Sequence, residues 1–129
     1  MAKKSQTSTT TATEHTFATG AKRSVIMPRY DLLPQTFLKR TSARFEMGLK
    51  YGENNYKRGL PFDDTFNHII DHLYAYKERR KEILIRIEQG ESLSLAGEMK
   101  RLETDGDDLA GAAWGLAAIM YLEQIGKLS

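Results

Sequence analysis

The longest uncharged run of the chain covers residues 109–122, fourteen positions rich in Ala and Leu that follow three aspartates, Asp105, Asp107 and Asp108. A strand is seldom so long, and Ala and Leu favour helix, so the run predicts a helix buried on most of its sides. It is too short for a membrane span, which needs eighteen or more such residues. Helical spacing places Asp108, Gly111, Ala112, Gly115 and Ala118 on one face, a smooth groove with an acid at its head. Ala110, Trp114, Ala117 and Tyr121 form a bulkier face opposite.

Helical periodicity recurs along the chain. Phe37, Leu38, Thr41, Phe45 and Leu49 predict a helix that begins near Pro34 and stops at Gly52. Residues 50–59 are polar, aromatic and bracketed by glycines, which predicts a loop. Phe66, Ile69, Ile70, Leu73, Tyr76, Ile83, Leu84 and Ile87 predict a long helix from Asp63, Asp64 or Thr65 to Gly90. Within it residues 77–81 are almost all charged and read as a solvated face, with Glu82 and Arg86 as a supporting pair. A short helix over 92–103 turns Leu93, Leu95, Met99 and Leu102 inward, and the central helix then runs to Gly126. Four helices without a clear strand predict an all-α bundle, residues 21–129. Ahead of it lies a Thr/Ser-rich tail, residues 1–20, expected to be disordered or docked on a neighbour, and 25–34 reads as an extended segment between prolines.

Composition narrows the function. Nineteen Lys and Arg against seventeen Asp and Glu leave a net charge of +2, with the signs interleaved, so no nucleic-acid patch is expected. The absence of Cys excludes disulfides and thiolate chemistry and suits a cytoplasmic protein. No apolar leader follows Met1, so no secretory signal is expected. Ser-His-Asp, Walker, Rossmann and HExxH patterns are absent.

What remains is acids and histidines on helices. Asp105 suits an N-cap, with Asp107 and Asp108 in the first turn complementing the helix dipole. Three acids exceed the needs of a cap, and carboxylates so clustered suit a divalent cation carrying phosphate. Glu88 and Glu91 are three apart, as are Asp105 and Asp108, with thirteen residues between the pairs. If the helices face one another, these acids hold Mg²⁺ or Mn²⁺. His68 and His72 share a face, where a structural role is the commoner one.

Residues 28–34 (PRYDLLP), Lys50-Tyr51-Gly52 with Asn55 and Tyr56, His72-Leu73, and Leu109-Ala110 with Ala112-Ala113-Trp114 resemble the phage and bacterial dATP/dGTP diphosphohydrolase N-terminal family. The helical acids are also similar to those of MazG-like all-α pyrophosphohydrolases. The likeness covers roughly residues 21–123, and its most specific element is KYG-x-x-N. The family commonly has HLAHAAWN where this chain has Asp108, Gly111 and Gly115, and Trp in place of Tyr56. The resemblance implies hydrolysis of a purine deoxynucleoside triphosphate to monophosphate and pyrophosphate, with Mg²⁺ or Mn²⁺. The implied metal ligands are Glu88, Glu91, Asp105, Asp108 and His72, with Glu91 and Asp108 catalytic. Lys50, Lys57 and Arg58 are expected on phosphate, and Asn54, Asn55 and Tyr56 on base or sugar.

The competing reading is a non-catalytic helical accessory or assembly protein that retains the bundle, favoured by the missing histidines and the Thr-rich arm. A homodimer or homotetramer is expected in either case, with a second backbone in the groove of Gly111, Gly115 and Ala118. The alternative is that this groove holds the chain's own helices.

Overall fold

A computed structural model describes residues 14–24 and 28–129, which fall into two units, Met1–Leu33 and Pro34–Ser129. In the first, β1 (Glu14–Thr16) pairs antiparallel with β2 (Lys22–Ser24), with His15 opposite Arg23. Gly20, at φ 93°, closes the turn by donating to Phe17 O at 2.8 Å. This hairpin corrects the expectation of no strand. Two three-residue strands are too short to show a period-two pattern. The expected tail falls largely on residues 1–13, outside the described residues, as do Val25, Ile26 and Met27 of the expected extended segment. The rest of that segment contains a single 3-10 turn, Tyr30–Leu32, spanned by an Arg29–Asp31 ion pair of 2.6 Å.

The second unit holds four helices, as the apolar periodicity predicts. They are α1 (Gln35–Met47), α2 (Phe62–Glu88), α3 (Leu95–Asp105) and α4 (Asp108–Ile125). Residues 50–59 are not a plain loop: 3-10 turns at Gly48–Tyr51 and Asn55–Arg58 flank Gly52 and left-handed Asn54. The segment after α4 ties down the start of α2. Ser129 O accepts from Phe62 N–H at 2.8 Å, and Leu60 O accepts from Ser129 N–H at 3.1 Å. Ser94 caps α3 by accepting from Gly97 N–H at 3.0 Å, so that helix starts three residues later than the pattern suggests. It also runs two residues longer, to Asp105, and Gly106 at φ 155° breaks it. The cap of α4 is consequently Asp107 and not Asp105.

Ala110, Gly111, Ala112, Gly115, Ala118 and Leu122 are the buried positions of α4. The groove they make is filled from within the chain. A Cβ on Gly115 would lie 2.5 Å from Ile69 Cγ1, and one on Gly111 would lie 2.8 Å from the His72 ring. Since 69 meets 115 and 72 meets 111, α2 and α4 run antiparallel. Of the two occupants considered for the groove, the chain's own helix is the one found. On another side of α4, Trp114 packs against Phe45 of α1 and Tyr56, with ring centroids 5.9 and 5.8 Å away, and Tyr121 lies 6.1 Å from Tyr56. Among the described residues no helix is long and apolar enough to cross a membrane.

The close approach at Gly115 predicts an overpacking penalty. Gly115→Ala is expected to lower stability by about 1–3 kcal/mol in urea titrations, although alanine is the better helix former. Truncating the facing side chain beyond Cβ, Ile69→Ala, in the same background should cost less than it does in the wild type. Additive costs would show that the two positions do not share this contact.

Candidate functional site at the head of α4

Asp107 occupies the cap position, where its Oδ1 accepts from Ala110 N–H at 3.1 Å. Arg40, one turn into α1, grips both oxygens of that carboxylate: Nε donates to Oδ2 at 2.7 Å and Nη2 to Oδ1 at 2.6 Å. The same guanidinium lies 3.7 Å from Glu103 of α3. One planar fork thus joins α1 to the start of α4 and the end of α3. Burial pushes the Asp107 carboxyl up, but the Arg40 fork and the Ala110 amide outweigh it and hold the group below the usual aspartate range.

Asp108, the first residue of α4, is 13% exposed. Its Oδ1 lies 2.9 Å from His72 Nδ1. An ionised carboxylate only accepts, so Nδ1 carries the proton. In the neutral ring Nε2 then keeps its lone pair and accepts from Arg44 Nη2 at 3.3 Å. The ring stands over Gly111, where a side chain would displace it. The other oxygen, Oδ2, is buried without a hydrogen-bond partner, and its nearest cation is Arg79 Nε at 3.5 Å. Arg40, Arg44 and Arg79, from two helices, therefore converge on two neighbouring aspartates.

Beside this cluster a cleft of about 540 Å³ opens between α1 and the α3–α4 junction. Thr36, Lys39, Arg40 and Arg44 line it from α1, and Lys100 and Thr104 from α3. These α1 positions recur at helical spacing, so one face of the helix forms the wall.

The structure separates the expected metal ligands. His72 and Asp108 come together, bonded to each other. Glu88 lies sixteen residues beyond His72 on α2, about 24 Å along the helix axis at 1.5 Å per residue. Glu91, just past the helix, is exposed and held by Arg86 at 2.8 Å, so Arg86 serves Glu91 and not the expected Glu82. Asp105 is exposed and bound by Arg101 at 2.9 Å. Among the described residues no three His, Asp or Glu side chains gather as a metal site. The spacing anticipates a cage of carboxylates, but the antiparallel α2–α4 pairing sets Asp108 level with His72, far from the acids at the other end of α2. His68 is exposed.

In the 50–59 segment, Lys57 Nζ lies 5.0 Å over the Tyr121 ring and Lys50 Nζ lies 5.1 Å over Tyr51, while Asn54, Asn55 and Arg58 are exposed. Tyr56 is half-buried between Phe45 and Trp114. Arg40, Arg44 and Arg79 escaped the sequence reading. Arg79 sits in the charged run at 77–81, read there as solvated. For Arg40 and Arg44 the available signal was their i, i+4 spacing on a helix with Phe45 and Thr41 turned inward.

The depressed Asp107 carboxyl links stability to pH. A group whose folded pKa is lowered stabilises the fold above its unfolded value, and that contribution is lost as pH falls through the folded value. Unfolding free energy should therefore fall on acidification below about pH 4. Asp107→Asn should flatten that acid limb and cost about 1–3 kcal/mol at neutral pH, since it weakens the Arg40 fork. Urea midpoints of both proteins across the acid range test this. Parallel limbs would show that Asp107 does not carry the effect.

Searches of curated proteins and of solved structures returned no match to this chain. A family model does match, over residues 18–129, a span that includes all four helices and the residues of the site. The chain belongs to the dATP/dGTP diphosphohydrolase N-terminal family.

Proposed function

We propose that this chain hydrolyses a purine deoxynucleoside triphosphate, dATP or dGTP, to the monophosphate and pyrophosphate. The family is described as the N-terminal domain of a dATP/dGTP diphosphohydrolase, and the observation that supports the reading in this chain is the state of Asp108. Leaving a carboxylate oxygen buried without a donor costs about 1–3 kcal/mol, a cost that calls for an explanation at a functional site. The other Asp108 oxygen orients His72 in a single tautomer, the arrangement by which a carboxylate prepares an imidazole for proton transfer. In the proposed step water attacks the α-phosphorus and the bond to the α,β-bridging oxygen breaks. Pyrophosphate leaves with that electron pair, and His72 Nε2 takes the water's proton once Arg44 has turned to phosphate.

The described residues do not fit a resident, carboxylate-caged Mg²⁺ or Mn²⁺. The divalent ion belongs in this reading to the substrate, which arrives as the metal–nucleotide complex. Asn54, Asn55 and Tyr56 are proposed to meet the base and sugar.

We further infer a homo-oligomer. Leu116 and Met120, i and i+4 on α4, are 49% and 67% exposed, on a helix whose buried positions face α2 and α1. A second copy is the proposed cover.

The test is pyrophosphate release across a full NTP and dNTP panel with Mg²⁺ and with Mn²⁺. Turnover of a purine dNTP is expected, and Asp108→Asn or His72→Ala should each lower kcat by about 10²-fold or more without loss of helix. If the folded wild-type protein turns over no nucleotide, the reading fails and the non-catalytic bundle replaces it. Light scattering at micromolar concentration should give a multiple of 14.7 kDa; a clean monomer sinks the oligomer.

A further inference from the structure

The cleft beside the Asp107–Asp108 cluster has a charge balance that the proposed hydrolysis does not by itself dictate. Its acids are already committed. Asp107 and Glu103 face Arg40, and Asp105 is bound by Arg101. Its remaining cations are not. Among the described residues Lys39 and Lys100 have no carboxylate within ion-pair distance, and Arg44, whose charge also acts on Asp107, is hydrogen-bonded only to His72 Nε2. Lys39 and Arg44 stand on the α1 wall and Lys100 on the α3 wall, so the uncompensated positive charge comes from both sides of one cavity. The N-terminus of α1 also opens here, through Gln35 and Thr36, and its cap residue Pro34 offers no side-chain acceptor. Amide N–H groups left free at a helix start add to the attraction for an anion. Thr36 and Thr104 provide hydroxyl donors on the two walls.

We propose that this cleft binds a chain of phosphates, and that Lys39, Arg44 and Lys100 are its ligands. The volume, about 540 Å³, is that of a small-molecule site. The lining sets Lys39, Arg40, Arg44 and Lys100 against Glu103, Asp105 and Asp107; because those acids already face Arg40 and Arg101, an anionic ligand is what the remaining three cations can pair with. The choice of a polyphosphate over another polyanion rests on the hydrolase reading above. The inference moves phosphate binding away from Lys50 and Lys57, whose ammonium groups lie over tyrosine rings. It also gives Arg44 two partners. A phosphate in the cleft draws its guanidinium off His72 Nε2, which ties occupancy of the cleft to exposure of that lone pair.

Calorimetric titration of the full chain with inorganic tripolyphosphate, without metal, tests the cleft separately from any turnover. Three proteins are compared, with circular dichroism confirming their helix content. They are the wild type, the Lys39→Ala/Lys100→Ala double variant and the Lys50→Ala/Lys57→Ala double variant. The wild type should bind with an affinity that falls as salt rises. The Lys39/Lys100 variant should bind about tenfold more weakly, and the Lys50/Lys57 variant within about twofold of the wild type. Absence of binding by the wild type overturns the proposal, as does a loss in the Lys50/Lys57 variant equal to or larger than that in the Lys39/Lys100 variant. Because no bond breaks in this titration, binding at the cleft by a protein that turns over no nucleotide would defeat the hydrolase reading and leave the phosphate site standing.

Discussion

The rest of the bundle depends on how closely α2 can approach α4. Two glycines permit it. At Gly115 the Ile69 side chain occupies the space of a Cβ, and at Gly111 the His72 ring does the same. A side chain at either position would meet these atoms at 2.5–2.8 Å, so the Ile69 or His72 side chain would have to shift. Glycine inside a helix costs up to about 1 kcal/mol relative to alanine, so these positions trade local helix stability for tertiary contact. The exchange is favourable because a close-packed interface gains dispersion over many atom pairs and leaves no void.

The same approach governs the electrostatics. A helix that begins with a capping Asp107 followed by Asp108 carries both acids at the positive end of its dipole. Drawing α1 and α2 against that end brings Arg40, Arg44 and Arg79 around the acids, and each arginine has a different task. Arg40 makes two short charge-assisted bonds and fastens three elements. Arg44 occupies the second nitrogen of His72. Arg79 approaches the free Asp108 oxygen without completing a hydrogen bond. The head of α4 thus sets three arginines around Asp107 and Asp108 and leaves one Asp108 oxygen without a hydrogen-bond donor.

Much of the fold was legible because it is written in local pattern. The uncharged run at 109–122, the apolar periods of α1 and α2, and the glycines that end helices each report the burial or backbone conformation of their own positions. Asp105 was misplaced as a cap because boundaries depend on competing ends. Ser94 and Gly106 shifted α3 along the chain, and α4 could start only after them. The hairpin at 14–24 was invisible since three-residue strands show no period.

By itself, the sequence determined that four helices form, that α4 is the buried one, and that its head carries acids, since each follows from side-chain type and spacing along one element. Only the tertiary structure decided which of those acids work together. The three-residue spacings of Glu88 with Glu91 and of Asp105 with Asp108 are read along the chain, and they say nothing of which helix end meets which. Antiparallel packing of α2 on α4 left Glu88 about 24 Å along the helix from His72, with Glu91 past the helix end, and gave Asp108 a histidine instead. The arginines and the cleft were beyond the sequence for the same physical reason. A cation has a partner only once a second element is brought within a few ångströms of it, and that distance is set by packing.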